Sequence, residues 1–174
     1  MILKIGWKQE SMKRTINIIV SWLLVACIVL LILYFSLQNS TQSSNLSSGV
    51  IDGTIGEIGN GEVLDKLKEK YTTDLLSGFI RKIGHLIEYG ALGFFLYNAI
   101  KISTSKKKTL IFAICVISFI FMGSLDEFIQ SLSDRNGNIK DVLIDICGGI
   151  IGVLCMMFLH HIINKIKYKT LSHS

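Results

Sequence analysis

An uncharged run of 22 residues, from Ile16 to Leu37, constrains the fold of this chain more than any other feature. At about 1.5 Å per residue, a helix of that length crosses a hydrocarbon layer of about 30 Å. Hydrophobic residues make up 50% of the chain, so a single water-soluble core would leave too little polar surface to cover it. The chain is therefore predicted to fold in a membrane.

Three further segments are predicted to cross the membrane. Thr109 to Leu125 is an uncharged run of 17 residues, and Ile83–Ile100 and Val142–Ile163 are equally apolar except for ionisable residues near their starts. The positive-inside rule places the basic segments before span one, between spans two and three, and after span four in the cytoplasm. We expect an all-α, polytopic protein of the cell membrane with four transmembrane helices and both termini inside. The first span is interpreted as a retained anchor, because Ser36–Ser40 lacks the small-residue pattern of a signal-peptide cleavage site.

These features divide the chain into four parts. Residues 1–37 form the cytoplasmic N-terminus and first span, 38–78 an extracytoplasmic tether, 79–163 a three-helix transmembrane domain, and 164–174 a basic cytoplasmic tail. The tether is rich in Ser, Asn, Thr and Gly as far as Gly61. From Glu62 onward apolar residues recur at helical spacing, which predicts an amphipathic helix along the membrane surface.

Charge and cysteine patterns exclude two other classes. The net charge of +5 does not indicate nucleic-acid binding, because Lys and Arg lie beside apolar runs and not in a stripe with interleaved aromatic residues. The four cysteines form no CxxC pair, and we expect each to be a small buried apolar residue. His160 and His161 follow the last apolar run and are expected to be interfacial or solvated.

Ionisable residues inside the predicted spans define a candidate pocket. Arg81, His85 and Glu88 share one helical face of span two. Four-residue spacings place Asp126 with Gln130 at the end of span three, and Asp141 with Asp145 at the start of span four. The predicted topology brings all of these to one depth near the outer surface. The candidate pocket residues are Arg81, Lys82, His85, Glu88, Tyr89, Asp126, Glu127, Gln130, Arg135, Asp141 and Asp145.

Below the acidic pair of span four, Gly148 and Gly152 form a small-xxx-small pattern. Such a pattern lets two backbones approach closely in lipid, where no hydrophobic driving force brings helices together. We expect this glycine pair to dock span four against span two or span three.

Two interpretations of the polar residues stay open. An ionisable side chain in the hydrocarbon costs about 3 kcal/mol or more, so each needs partners. In the first interpretation, Arg81, Lys82 and Arg135 neutralise the carboxylates and hold the bundle together. In the second, the residues form a binding or catalytic pocket open to the outer surface. The second interpretation is favoured by the excess of acids over bases and by the presence of His85.

A wider pattern resembles a known family. The residues that carry the resemblance are Arg81-Lys82, His85, Glu88-Tyr89, Leu92-Gly93, Asp126-Glu127, Gln130, Arg135, Asp141-Val142, Asp145, Gly148 and Gly152. Together they resemble the VanZ-like family over roughly residues 79–160, although Ser133-Asp134 stands before Arg135 where that family usually has Pro-Gly. The resemblance implies a cell-envelope protein of Gram-positive bacteria associated with resistance to the glycopeptide teicoplanin. It implies no catalytic residue set.

Two functional hypotheses follow. In the first, a non-enzymatic protein binds a lipid-linked cell-wall precursor or the glycopeptide itself, with Arg81, Lys82 and Arg135 contacting phosphate or carboxylate. In the second, a membrane enzyme acts on such a precursor. His85 or Glu88 is then the general base, and a divalent cation is held by Asp126, Glu127, Asp141 and Asp145.

The first hypothesis is preferred, because no nucleophile elbow, phosphate-binding loop or HExxH motif occurs in the sequence. No cofactor is predicted under it, and the divalent cation belongs to the alternative. The expected partner is the lipid bilayer, no nucleic acid is expected, and oligomerisation stays open. A transporter ranks third, because no inverted repeat is visible.

Overall fold

The computed structural model describes residues 2–37, 70–132 and 139–171. These residues form four α-helices and no strand: α1 (Ile2–Ser36), α2 (Lys70–Ser103), α3 (Lys108–Leu132) and α4 (Ile139–Leu171). The prediction of an all-α fold is confirmed. Most of the predicted tether lies outside the described residues, as does the loop that contains Arg135.

Three of these helices contain segments that are long and apolar enough to cross a membrane. The segments are Gln9–Ser36, Lys108–Leu132 and Lys140–Lys167. Their outer faces are apolar: Leu30, Phe121 and Phe158 are each exposed by 65% or more of their surface, as lipid-facing side chains are. The chain is therefore an all-helical membrane protein. The α2 helix does not reach the same hydropathy, because polar residues such as His85, Glu88 and Asn98 interrupt its apolar run.

Helices that follow one another in sequence run in opposite directions, so α1 is parallel to α3, α2 is parallel to α4, and the bundle has two distinct ends. The Ser36 hydroxyl at the end of α1 donates to the main-chain carbonyl of Asp126, 3.2 Å away and late in α3. Trp22 Nε1, farther back in α1, donates to the hydroxyl of Ser103 at the end of α2, 3.0 Å away. We call these the Ser36 end and the Trp22 end. The α2 helix contacts all three others and is the most enclosed of the four.

Glycines set the closest helix contact, which joins α2 to α4. A Cβ added to Gly148 would lie 2.6 Å from the carbonyl oxygen of Leu86. A Cβ on Gly152 would overlap the carbonyl of Gly90. The glycine pair therefore packs against α2, one of the two helices left open by the sequence, and backbone meets backbone there.

The buried apolar side chains lie along this contact and the inner faces of α1 and α3. They are Val25, Ile32, Tyr89, Leu92, Leu96, Tyr97, Ala99, Ile100, Ile111, Cys115, Phe119, Val153 and Met156. Cys115 is the buried cysteine, whereas Cys27, Cys147 and Cys155 are exposed. The prediction of burial is wrong for those three, because in a four-helix bundle much of each helix surface faces outward.

Two helices extend past the part boundaries drawn on the sequence. The α2 helix begins at Lys70, within the residues assigned to the tether. The α4 helix continues to Leu171, within the residues assigned to the basic tail. The part of the amphipathic segment that the structure describes, from Lys70 onward, is therefore continuous with α2.

Candidate functional site

Three ionisable side chains from three helices meet at the Ser36 end. His85 Nδ1 of α2 lies 3.1 Å from Asp145 Oδ1 of α4 and 3.5 Å from Asp126 Oδ2 of α3. The His85 side chain is 11% exposed, Asp126 is 2% exposed and Asp145 is fully buried. We call these three residues the His–Asp cluster. One imidazole is thus held between two buried carboxylates.

Glycines at two positions make this meeting sterically feasible. A Cβ on Gly123 of α3 would lie 3.2 Å from Asp145 Oδ2, so the absence of a side chain there leaves room for the carboxylate. Gly148 lies three residues after Asp145, and it allows α4 to approach α2 beside His85. These two glycines therefore determine the position of the His–Asp cluster as well as the packing of the helices.

Glu88, Tyr89 and Asp141 surround the His–Asp cluster. Glu88 is half-buried and close enough to His85, Asp126 and Asp145 to interact electrostatically with each. Tyr89 is fully buried and interacts in the same way with both aspartates. Asp141 is buried one turn before Asp145 on α4 and interacts with it.

Several polar atoms around the cluster are buried without a hydrogen-bond partner among the residues that the structure describes. They are Tyr89 Oη, Asp126 Oδ1, Asp141 Oδ1 and Asp145 Oδ2. Buried polar groups are normally satisfied, because an unsatisfied one costs about 1–3 kcal/mol. Four such atoms around one cluster are the pattern expected of a site built to hold something else.

The remaining predicted pocket residues divide by position. Glu127 and Gln130 are buried on α3, near Asp126 in sequence. Arg81 and Lys82 are exposed on α2, one helical turn before His85. Neither forms an ion pair with a carboxylate in the described ranges. Arg135 lies outside those ranges. The ion pairs of the cluster therefore come from His85 and not from Arg81 or Lys82.

The geometry of His85 allows two kinds of chemistry that exclude each other at Nδ1. If Nδ1 carries a proton, it donates to Asp145, and Nε2 keeps a lone pair that can act as a general base. If Nδ1 carries the lone pair, it can bind a metal together with one oxygen from each aspartate, and these three atoms lie within 4.8 Å of one another. Glu127 and Asp141 do not belong to that group of three, although the sequence placed them among the cation ligands.

A second polar network, which the sequence analysis did not anticipate, lies at the Trp22 end. Asn98 Nδ2 donates to Ser21 Oγ at 3.2 Å, and Asn98 Oδ1 lies 3.2 Å from His160 Nε2. His160 is partly buried beside the Tyr97 ring, so of the two alternatives, interfacial or solvated, its position fits the interfacial one, with a partner in α2 that the sequence did not indicate. An asparagine within the apolar run of span two was the available signal, because an amide in lipid needs a partner.

Fold and site together define an all-helical membrane protein with a buried His–Asp cluster at one end of its bundle. The VanZ/LLP1 family model matches residues 21–160, and the chain belongs to this family. The resemblance to the VanZ-like family is confirmed, and the match begins earlier than residue 79, so it includes most of the first predicted span. No curated protein and no solved structure matches the chain.

Proposed function

We propose that this chain is a multi-pass VanZ-like protein of the Gram-positive cell membrane that contributes to resistance against teicoplanin-type glycopeptides. It does so by binding an envelope head group, or the drug itself, in a pocket at the Ser36 end. The observation that carries the proposal is the buried His–Asp cluster, which lies one helical turn from the exposed cation Arg81 and has carboxylate oxygens without a hydrogen-bond partner among the described residues.

The pocket has to face outward, which requires four spans with both termini inside. Charge distribution supports this orientation, because Lys101 and Lys108 lie at the Trp22 end and the aspartates lie at the Ser36 end. The presence of four helices whose direction alternates along the chain supports four crossings. The enclosed position of α2 supports a fourth crossing by this less apolar helix, because His85 and Asn98 form hydrogen bonds to other helices.

Cysteine labelling tests the orientation. Cysteines are introduced singly at Val50, Gly137 or Lys106 in a variant that lacks the four native cysteines, and intact cells are treated with a membrane-impermeant maleimide. Positions 50 and 137 should label in intact cells, and position 106 only after permeabilisation. Labelling of 50 and 137 only from the cytoplasmic side would overturn the topology.

The proposed ligand carries both an anionic group and hydrogen-bond donors. Arg81 and Lys82 make no ion pair with a described carboxylate, so their charges are available to a phosphate or carboxylate at the pocket rim. Deeper in the pocket, Asp126 Oδ1 and Asp141 Oδ1 offer acceptors to ammonium, amide or hydroxyl donors. Lipid-linked cell-wall precursors and glycopeptides both have this mixed chemistry.

Susceptibility measurements test this proposal. A susceptible Gram-positive host expresses the wild type, Glu88→Gln, Asp126→Asn, Asp145→Asn or the control His161→Asn, which alters an exposed histidine far from the cluster. Membrane abundance is checked by blot. The three pocket variants should lose protection against teicoplanin at normal abundance, while the control keeps it. Full protection by all three variants would reduce the cluster to a structural role.

The second candidate is a membrane enzyme acting on a lipid-linked phosphate or peptide. It is favoured by one specific contact, the 3.1 Å approach of His85 Nδ1 to Asp145. A carboxylate at Nδ1 orients the ring and leaves Nε2 as the base, as in other His–Asp pairs. In this candidate the general base is His85 and not the neighbouring Glu88.

Conservative exchanges separate the two candidates. A binding pocket should tolerate Asp145→Glu in part, because the charge and acceptor oxygens remain. An enzyme should lose nearly all turnover with Asp145→Glu and with His85→Gln, because geometry at the reacting atom controls the rate. Mass spectrometry of lipid-linked precursors from expressing cells provides the readout. An altered precursor that disappears in both variants would favour the enzyme, and an unchanged precursor pool would favour binding.

A further inference from the structure

We propose that the His–Asp cluster is a divalent-cation site with His85 Nδ1 and one oxygen each of Asp126 and Asp145 as ligands. The inference rests on the proposed function in that it assigns a cation to the floor of the same pocket. Atoms that bind a metal at about 2.1 Å lie about 3.0–3.4 Å from one another in tetrahedral or octahedral arrangements. The observed separations from Nδ1, 3.1 and 3.5 Å, are close to this range, and all three ligand atoms lie within 4.8 Å of one another.

Charge balance provides the second step. Asp126 and Asp145 are almost completely buried, and the positive side chains Arg81 and Lys82 are exposed and do not pair with them. Two carboxylates and a neutral imidazole carry a charge of about −2, which a divalent cation cancels. A neutral assembly is the one that low-dielectric surroundings favour, because an uncompensated buried charge is strongly unfavourable there.

The buried atoms without partners are an independent indication of a ligand. Asp126 and Asp145 each use one oxygen toward His85, and the other oxygen, Oδ1 and Oδ2 respectively, has no partner in the described part of the chain. Tyr89 Oη and Asp141 Oδ1 are also buried without one. Water molecules bound to a metal ion are strong donors, so they would satisfy acceptors that protein side chains leave open.

The ligand set indicates which cation is bound. An imidazole nitrogen with two carboxylates suits first-row transition metals such as Mn²⁺, Fe²⁺ and Zn²⁺. Calcium takes six to eight oxygen ligands, and magnesium binds mainly oxygen. The inclusion of His85 therefore distinguishes this site from the all-carboxylate set of the sequence-based hypothesis, whose oxygen ligands suit Mg²⁺, Mn²⁺ or Ca²⁺.

Direct binding measurements on the full chain in lipid nanodiscs test the site. Metal-free wild type is titrated with Mn²⁺, and free Mn²⁺ is followed by electron paramagnetic resonance. Zn²⁺, Mg²⁺ and Ca²⁺ are added as competitors. We expect one Mn²⁺ per chain, displaced by Zn²⁺ and not by equal concentrations of Mg²⁺ or Ca²⁺. Asp126→Asn and Asp145→Asn should each weaken binding by at least about 100-fold, because loss of a direct ligand costs more than loss of a residue that only orients one, while His161→Asn leaves binding unchanged.

A variant with a different type of ligand distinguishes loss of the metal ligand from misfolding of the chain. His85→Cys replaces the imidazole by a thiol, which prefers Zn²⁺ to Mn²⁺. The variant should therefore lose Mn²⁺ binding and keep Zn²⁺ binding, a result that mere loss of structure does not produce. Absence of stoichiometric binding of either metal to the folded wild type would overturn the inference, as would equal binding by Asp145→Asn.

The outcomes separate this inference from the proposed function. If no metal binds, and the cluster variants still lose protection against teicoplanin, the cation site is wrong and the pocket remains. If metal binds as predicted, and the cluster variants keep full protection, the cation site stands and the role of the pocket in resistance is wrong.

Discussion

Adding a single methyl group at Gly148 should both loosen the bundle and disturb the site. A Cβ at this position would lie 2.6 Å from the carbonyl oxygen of Leu86, whereas ordinary van der Waals contact begins at 3.4 Å. The helices α2 and α4 must therefore separate by roughly 0.8 Å at this level, since neither backbone can rotate away. Overpacking of this kind costs about 1–3 kcal/mol, so Gly148→Ala should be destabilising by that amount.

Gly84→Ala provides the matched control for this prediction. Gly84 likewise lies within a helix, α2, but a Cβ there meets nothing within 4 Å. Alanine is the better helix former by about 0.8–1 kcal/mol in water, so this variant should be neutral or stabilising. The two variants add the same methyl group to the same kind of residue, and only the close approach of α4 distinguishes them.

The buried thiol of Cys115 reports unfolding directly. Cys27, Cys147 and Cys155 are exposed and are replaced by serine, which leaves Cys115 to react with a thiol-specific fluorophore on heating in nanodiscs. Gly148→Ala should lower the midpoint of labelling, and Gly84→Ala should not. A midpoint for Gly148→Ala equal to that of its parent would show that the helices do not touch at this level, and the account of the α2–α4 contact would be wrong.

Three other substitutions test the remaining contacts, with the same thermal assay as the measurement. Asn98→Leu should lower the free energy of unfolding by about 1–2 kcal/mol, because Ser21 and His160 each lose a partner. An unchanged midpoint would show that the polar network at the Trp22 end does not stabilise the fold. Trp22→Phe should lower the free energy of unfolding by about 0.5–1.5 kcal/mol through loss of the Nε1 donor to Ser103. Equal stability would show that this hydrogen bond does not contribute. Phe121→Ala should cost under about 0.5 kcal/mol because its ring is 66% exposed toward lipid, so a loss above 2 kcal/mol would contradict a lipid-facing position.

Depth and helical face were the parts of the site that could be predicted from sequence. A carboxylate within an apolar run can be assigned a depth, because each residue adds about 1.5 Å along the helix. Four-residue spacing then predicts which residues share a face, as for Asp141 with Asp145. Both are local properties of one helix, and they need no knowledge of its neighbours.

The same arguments could not predict which residues on different helices pair with one another. The sequence placed Asp126, Asp141 and Asp145 at the same depth as His85 without ranking them as its partners. Helix rotation and the distance between axes decide among them, and both depend on side chains across the contact. Asp126 and Glu127 are adjacent in sequence, yet the former lies 3.5 Å from His85 and the latter is absent from the group of three that can hold a metal. His160 was missed for the same reason, because its partner Asn98 belongs to another helix.

Stability and site geometry depend on the same close contact in this protein. Leu86, whose carbonyl meets Gly148, directly follows His85, and Gly148 lies three residues after Asp145. Any side chain that separates α2 from α4 at Gly148 must therefore lengthen the 3.1 Å contact between His85 and Asp145. Metal affinity of the Gly148→Ala variant should consequently fall even at temperatures where the bundle stays folded. Gly84→Ala changes the residue directly before His85 without moving α4, so retained metal binding in that variant and weakened binding in the first would link the glycine packing to the chemistry of the cluster.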